Sequence, residues 1–99
     1  MPRPNKEKRV CRMPLCAEFV AARGNGHSHR IQMSVEEYET IRLIDYMGMT
    51  QAECAASMDV GRATVQSLYT DARKKLARFL VEASALELSL IHITEPTRP

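Results

Sequence analysis

From residue 33 onward, apolar side chains recur with helical spacing. Val35, Tyr38, Ile41, Leu43, Ile44 and Met47 form one stripe, which predicts a helix beginning at Val35. Ser34 and Glu37 mark its start as a Ser-x-x-Glu capping box, with Met33 and Tyr38 placed to close a hydrophobic staple, and Gly48 stands where a left-handed residue would stop it. Sixteen residues after the first box, Thr50 and Glu53 repeat the device, now with Met49 and Cys54 as the staple pair. The second helix is expected to be short, Gln51–Met58, because Asp59, Val60 and Gly61 interrupt the pattern. A long third helix is expected from Arg62 to about residue 85, with Val65, Leu68, Tyr69, Ala72, Leu76, Phe79, Leu80 and Ala83 along one side. Residues 1–12 hold Pro2 and Pro4 among basic side chains and read as an extended arm. Residues 14–22 are a short apolar piece, strand or helix, closed by a loop over 23–30 that contains Gly24 and Gly26. The expected fold class is therefore all-α, a three-helix domain behind a basic N-terminal arm.

Length limits what such a domain can do. Ninety-nine residues make one domain, and a chain of this size buries only roughly 60–65% of its unfolded surface, so a deep catalytic pocket would compete with the core. A binding module rather than an enzyme is the expectation; no Ser/His/Asp set or phosphate-cradling loop is present. Glu36, Glu37 and Glu39 read as the exposed face of the first helix, favoured by the positive end of its dipole. No apolar run approaches the roughly 18 residues of a membrane span, and the basic start lacks the apolar stretch of a signal peptide, so a cytoplasmic protein is expected.

The net charge of +2 conceals segregation. Residues 1–30 carry seven basic and two acidic side chains, residues 31–60 one basic (Arg42) and six acidic, residues 61–78 five basic and one acidic, and residues 79–99 one basic and three acidic. A basic arm and a basic stretch flank an acidic middle, a footprint that suits a polyanion such as nucleic acid.

A helix of about eight residues, a three-residue turn around an aliphatic and a second helix opening with small and polar residues is the plan of a helix-turn-helix. Ala55 is small where the helices would cross, while Cys54, Met58, Val60, Val65 and Leu68 fall at buried positions. Met58-Asp-Val-Gly-Arg-Ala-Thr-Val65, followed by Ala72-Arg-Lys-Lys-Leu76, resembles the sigma-factor region-four type of this motif. Adding Met1-Pro-Arg-Pro4, Arg9-Val-Cys-Arg-Met-Pro14, Glu37-x-Glu-Thr-Ile-Arg-Leu43 with Asp45, Gly48-Met-Thr-Gln51, Ala55-Ala-Ser-Met58 and Ala72-Arg73, the chain to about residue 87 resembles a UPF/DUF family of small uncharacterised bacterial and archaeal proteins with a DNA-binding helix-turn-helix. The resemblance implies a DNA-binding transcriptional regulator of double-stranded DNA. It also suggests partners with an iron-molybdenum-cofactor-biosynthesis-like domain. One departure is Gly61, a cap without a side-chain oxygen where Ser is common.

In such a motif the third helix would enter the major groove. Arg62 and Gln66 are the candidate base readers, since Arg pairs with guanine and Gln with adenine through two hydrogen bonds, and Thr64 and Ser67 add shorter contacts. Candidates for phosphate are Thr50, Gln51, Thr70, Arg73 and Lys74, together with Arg3, Lys6, Lys8 and Arg9 of the arm. Lys75 or Arg78 is placed to pair with Glu82. Readers of this kind bind paired half-sites, which admits a homodimer that no feature of the sequence itself requires.

Cys11, Cys16, His27 and His29 lie within nineteen positions and are the candidate zinc ligands. Four residues separate the two cysteines, looser than a Cys-x-x-Cys knuckle, so free thiols, solvated loop histidines and no cofactor are the simpler expectation. A metal- or redox-sensing adaptor on the same scaffold is the alternative function. Cys54 reads as a small core hydrophobe. Residues 88–99, LSLIHITEPTRP, resemble a translated transposase sequencing adaptor. The expected organisation is thus an arm and loop over 1–30, a helix-turn-helix domain over 31–87 and an adaptor-derived tail over 88–99.

Overall fold

A computed structural model describes residues 10, 12–22 and 30–89. Its elements are β1 (Glu18–Val20), β2 (Arg30–Ser34), α1 (Val35–Thr40), a π-helical segment (Ile41–Tyr46) continuing α1 without a break, α2 (Gln51–Met58), α3 (Arg62–Glu82) and β3 (Ala85–Ser89).

Both capping boxes form. Ser34 Oγ accepts from the Glu37 N–H while Glu37 Oε1 accepts from the Ser34 N–H, at 3.1 and 2.9 Å. Thr50 and Glu53 exchange the equivalent bonds at 3.1 and 2.8 Å. α2 has the expected bounds, and Gly48 is left-handed with φ 85°. Within the first helix the regular ladder gives way after Thr40; the Met47 N–H reaches back five residues to the Arg42 carbonyl at 2.9 Å. The widened turns shift the phase of the apolar stripe. Leu43 is buried, but Met47, expected on the inner face, is exposed with Tyr46.

The all-α expectation is overturned by a three-stranded sheet in the order β1-β3-β2, with β1 antiparallel and β2 parallel to the central β3. The strands are three, five and five residues long, too short to stand out against the helical patterns beside them. In β2, Ile31 and Met33 point inward while Arg30 and Gln32 point out, a period-two pattern ending on the first capping box. β3 was hidden differently. The third helix stops at Glu82, with Ala83 left-handed at φ 51°, so Ala85 opens a strand instead of ending a helix. Pairing also joins distant residues: Gln32 Nε2 donates to Glu87 Oε1 at 2.7 Å across 55 positions. Residues 14–22, left open between strand and helix, contain β1. The boundary expected after Glu87 falls inside β3, where Leu88 is buried in register with Met33 and Ser89 pairs with Ser34. The rest of the expected tail lies outside the described residues.

Among the described residues the core has two parts. Ile31, Met33, Ala72, Leu86 and Leu88 pack between the sheet and the C-terminal half of α3. Leu43, Cys54, Ala55, Met58 and Val65 pack between the π-helical segment, α2 and the N-terminal half of α3. The expected exposed acidic face is also corrected: Glu36, Glu37 and Glu39 are 2%, 7% and 0% exposed. That helix is covered from several sides. Lys75 Nζ of α3 donates to Glu37 Oε1 at 2.8 Å, and Arg42 makes a two-pronged contact with Glu39 at 2.9 and 3.0 Å.

Two glycines should respond oppositely to a side chain. Gly48→Ala, at φ 85°, is expected to lose about 1 kcal/mol in thermal or denaturant unfolding. Gly61→Ser is expected to gain a few tenths of a kcal/mol, because this extended N-cap has no side-chain acceptor and an added Cβ meets nothing within 4 Å.

Candidate nucleic-acid interface

The geometry of α3 follows from which side it buries. Val65 and Ala72 are fully buried and Leu68 partly so, leaving the opposite side of the first three turns to solvent. At 100° per residue that side carries Ala63, Gln66, Ser67, Thr70 and Lys74, with Arg62 and Arg73 along one flank. Ala63, Gln66, Ser67, Thr70 and Asp71 line a shallow open depression of about 310 Å³. Arg62 and Lys74 are exposed and make no ion pair among the described residues.

The expected base readers are only partly brought together. Gln66 and Ser67 share the exposed side with Arg62 exposed on its flank, whereas Thr64 is half-buried and falls toward the Asp71 flank. Among the phosphate candidates, Thr70 and Lys74 lie on the same surface. Thr50 is exposed, its N–H and a lone pair of its hydroxyl oxygen serving the Glu53 box while the O–H hydrogen stays available to donate, and Gln51 is half-buried in the first turn of α2. Arg3, Lys6, Lys8 and Arg9 lie outside the described residues.

Arg73 is engaged differently from its expected role. Its guanidinium sits over the Tyr69 ring, 5.2 Å from the centroid, and 3.9 Å from Asp45 of the π-helical segment. Tyr69 Oη donates to Asp45 Oδ1 at 2.6 Å, which ties the end of the first helix to α3 beside the exposed surface. That hydrogen bond is the main reason the Tyr69 phenol is held above its ordinary range; burial and the Asp45 charge add to it, while Arg73 opposes it. Tyr69 and Arg73 were visible as an i, i+4 pair, but Asp45 lies 24 positions from Tyr69 and no local pattern links them. Of the expected Glu82 pairings, Arg78 forms one at 3.4 Å, and Lys75 goes to Glu37 instead.

Of the candidate zinc ligands, Cys16 is exposed, its thiol 3.1 Å from the Glu18 carbonyl. Cys11, His27 and His29 lie outside the described residues, and no group of three or more His, Cys, Asp or Glu able to hold a metal occurs among the described ones. Cys54 is buried, 3.7 Å from the Met58 sulfur, and burial chiefly pushes its thiol pKa up, with the nearby Glu39 charge acting in the same direction. No helix among the described residues is long and apolar enough to cross a membrane.

A small mixed α/β chain with one long helix presenting a polar, basic side is what the geometry defines. The chain belongs to the family described as "Protein of unknown function DUF134", whose profile matches residues 1–90. It is similar to a UPF0251 protein of Desulfitobacterium hafniense, 49% identical over 89 residues, covering 89% of this chain and 71% of that one. A UPF0251 protein of Halothermothrix orenii is 45% identical over 87 residues, covering 87% of this chain and 64% of its own length. Another, of Caldicellulosiruptor saccharolyticus, is 41% identical over 88 residues, covering 89% and 62%. No solved structure matches the chain.

The Asp45–Tyr69 contact has a spectroscopic consequence. Asp45→Asn is expected to lower the Tyr69 phenol pKa toward its ordinary value near 10, read from tyrosinate absorbance during an alkaline titration. In the unsubstituted protein the contact contributes stability below that value and loses it as the pH rises through the elevated folded-state pKa. An unchanged titration in the Asn variant would show that the carboxylate is not the cause.

Proposed function

We propose that the chain is a DNA-binding protein, acting as a transcriptional regulator, in which α2 and α3 form a helix-turn-helix and the first turns of α3 enter the major groove. One observation carries this reading: α3 buries Val65 and Leu68 against α2 and the first helix while turning Gln66, Ser67, Thr70 and Lys74 together to solvent, with Arg62 exposed on their flank. An Arg and a Gln one turn apart on a rigid helix have the donors and acceptors that distinguish guanine and adenine edges. Lys74, two turns further along, is a phosphate contact.

Burial of Glu36, Glu37 and Glu39 supports the same reading. Glu37 and Glu39 are neutralised inside by Lys75 and Arg42, so they do not oppose a polyanion at the surface. Asp45 is exposed but faces Arg73, whose role is to brace Tyr69 and to meet a backbone phosphate only at the edge of the site. Thr64 makes at most a peripheral contact. No step of this reading requires catalysis.

The test is duplex binding by fluorescence anisotropy, using a sequence selected from a random library beside a scrambled one. Arg62→Ala is expected to lose about 1–3 kcal/mol on the selected duplex and little on the scrambled one. Lys74→Ala should weaken both equally and reduce the slope of log K against log salt by about one. Wild-type protein that binds no duplex at low salt would end the reading.

A further inference from the structure

The core on the sheet side is left partly open among the described residues. Tyr38, Ile41, Leu76 and Phe79 pack against its buried side chains yet stay half-buried, and Phe19, in register with the buried Leu86, is 42% exposed. Between them lies a cleft of about 220 Å³ that reaches down to Leu86 and Leu88, each 4% exposed. No polar group of the described residues faces it. Water inside would lack hydrogen-bond partners, whereas an apolar space of about 150 Å³ is already large enough to take up benzene.

Tyr38 and Ile41 also form a wall of a wider groove, about 520 Å³, that runs between residues 12–15 and the first helix. The two spaces therefore adjoin, and together they have the size and apolar lining of a small-molecule site, in which a few polar groups fix the orientation of the ligand. Arg12 is such a group. It lines the groove, is exposed and makes no ion pair among the described residues. Arg42, the second cation in the walls, is already spread across both carboxylate oxygens of Glu39. No carboxylate of the described residues lines the groove.

We propose that groove and cleft bind a small amphipathic carboxylate of the class of medium-chain fatty acids. Its alkyl tail lies along Tyr38 and Ile41 toward Leu86, and its carboxylate accepts two parallel N–H···O bonds from Arg12. Charge selects the head, because one free guanidinium matches one negative charge, while a phosphate monoester would bring a second that nothing in the walls balances. Width selects the tail. A helix of another protein is about 10 Å across with its side chains and would rest on the rim without filling the cleft. None of Gln66, Ser67, Thr70 or Lys74 takes part, so the proposal stands without the DNA reading.

Isothermal titration calorimetry of the full chain with decanoate, kept below its micelle-forming concentration, tests it. Saturable one-to-one binding is expected, with a dissociation constant below about 1 mM. Octanoate should bind about tenfold more weakly, since each CH₂ withheld from burial costs roughly a factor of three to four. Arg12→Gln should weaken decanoate at least about threefold and leave octanol, which carries no charge, unchanged. Leu76→Trp, which fills the cleft, should erase the advantage of decanoate over octanoate. Absence of saturable binding overturns the proposal, as does equal affinity for the two chain lengths or an Arg12→Gln effect as large on octanol. Concentration-dependent dimerisation in sedimentation, or pelleting with neutral phosphatidylcholine vesicles, in place of decanoate binding would assign the apolar surface to a second copy or to a membrane instead. Circular dichroism checks folding. If Leu76→Trp is misfolded, the chain-length series and the exposed Arg12 decide alone.

Discussion

One carboxylate holds three elements together. Glu37 Oε1 accepts from the Ser34 N–H at the end of β2 and from Lys75 Nζ in the middle of α3, while the Glu37 N–H takes the Ser34 hydroxyl. The side chain therefore caps its own helix and anchors it to another. Hydrogen bonds to charged groups contribute about 1.5–3 kcal/mol each, with the solvent-facing side of Lys75 placing its bond toward the lower end. The placement matters more than the sum. Glu37 adds a polar tie between β2 and α3 to the direct packing of Ile31 and Met33 on Ala72.

α3 is the second constraint. At 21 residues it spans about 30 Å, and the two ends serve different cores. Its first turns pack through Val65 and Leu68 onto Met58 and Cys54, and its later turns through Ala72, Leu76 and Phe79 onto the sheet. A helix gripped along so much of its length presents the opposite side with little freedom. That rigidity suits recognition of another surface by a row of polar side chains. The Tyr69–Asp45–Arg73 contact, between the two cores, fixes the helix against the end of the first one.

The candidate interface was legible to the extent that it follows from one helix. Gln66, Ser67, Thr70 and Lys74 share a side, with Arg62 on its flank, because Val65, Leu68 and Ala72 define the opposite one, and the 3.6-residue period is written in the sequence. What the period omits is the neighbour. Arg73 is drawn to Asp45, the Thr50 hydroxyl accepts within its own capping box, and Thr64 is half-buried toward Asp71. The charge pattern misled in a similar way. A block of acids in the sequence became an interior pairing with Arg42 and Lys75, because the helix bearing it is enclosed by the sheet and α3.

The sequence by itself determined the local events: two capping boxes, the left-handed Gly48, the bounds of α2 and the start of α3 at Arg62. Each depends on a few neighbouring residues whose hydrogen bonds close within one turn. The tertiary structure decided the sheet, the π-helical widening and the burial of the glutamates. A strand of three or five residues has no stability until its partner supplies the other half of the ladder, and the partner of β2 lies 55 positions away. The helices could therefore be read from within, but the strands only from their pairing.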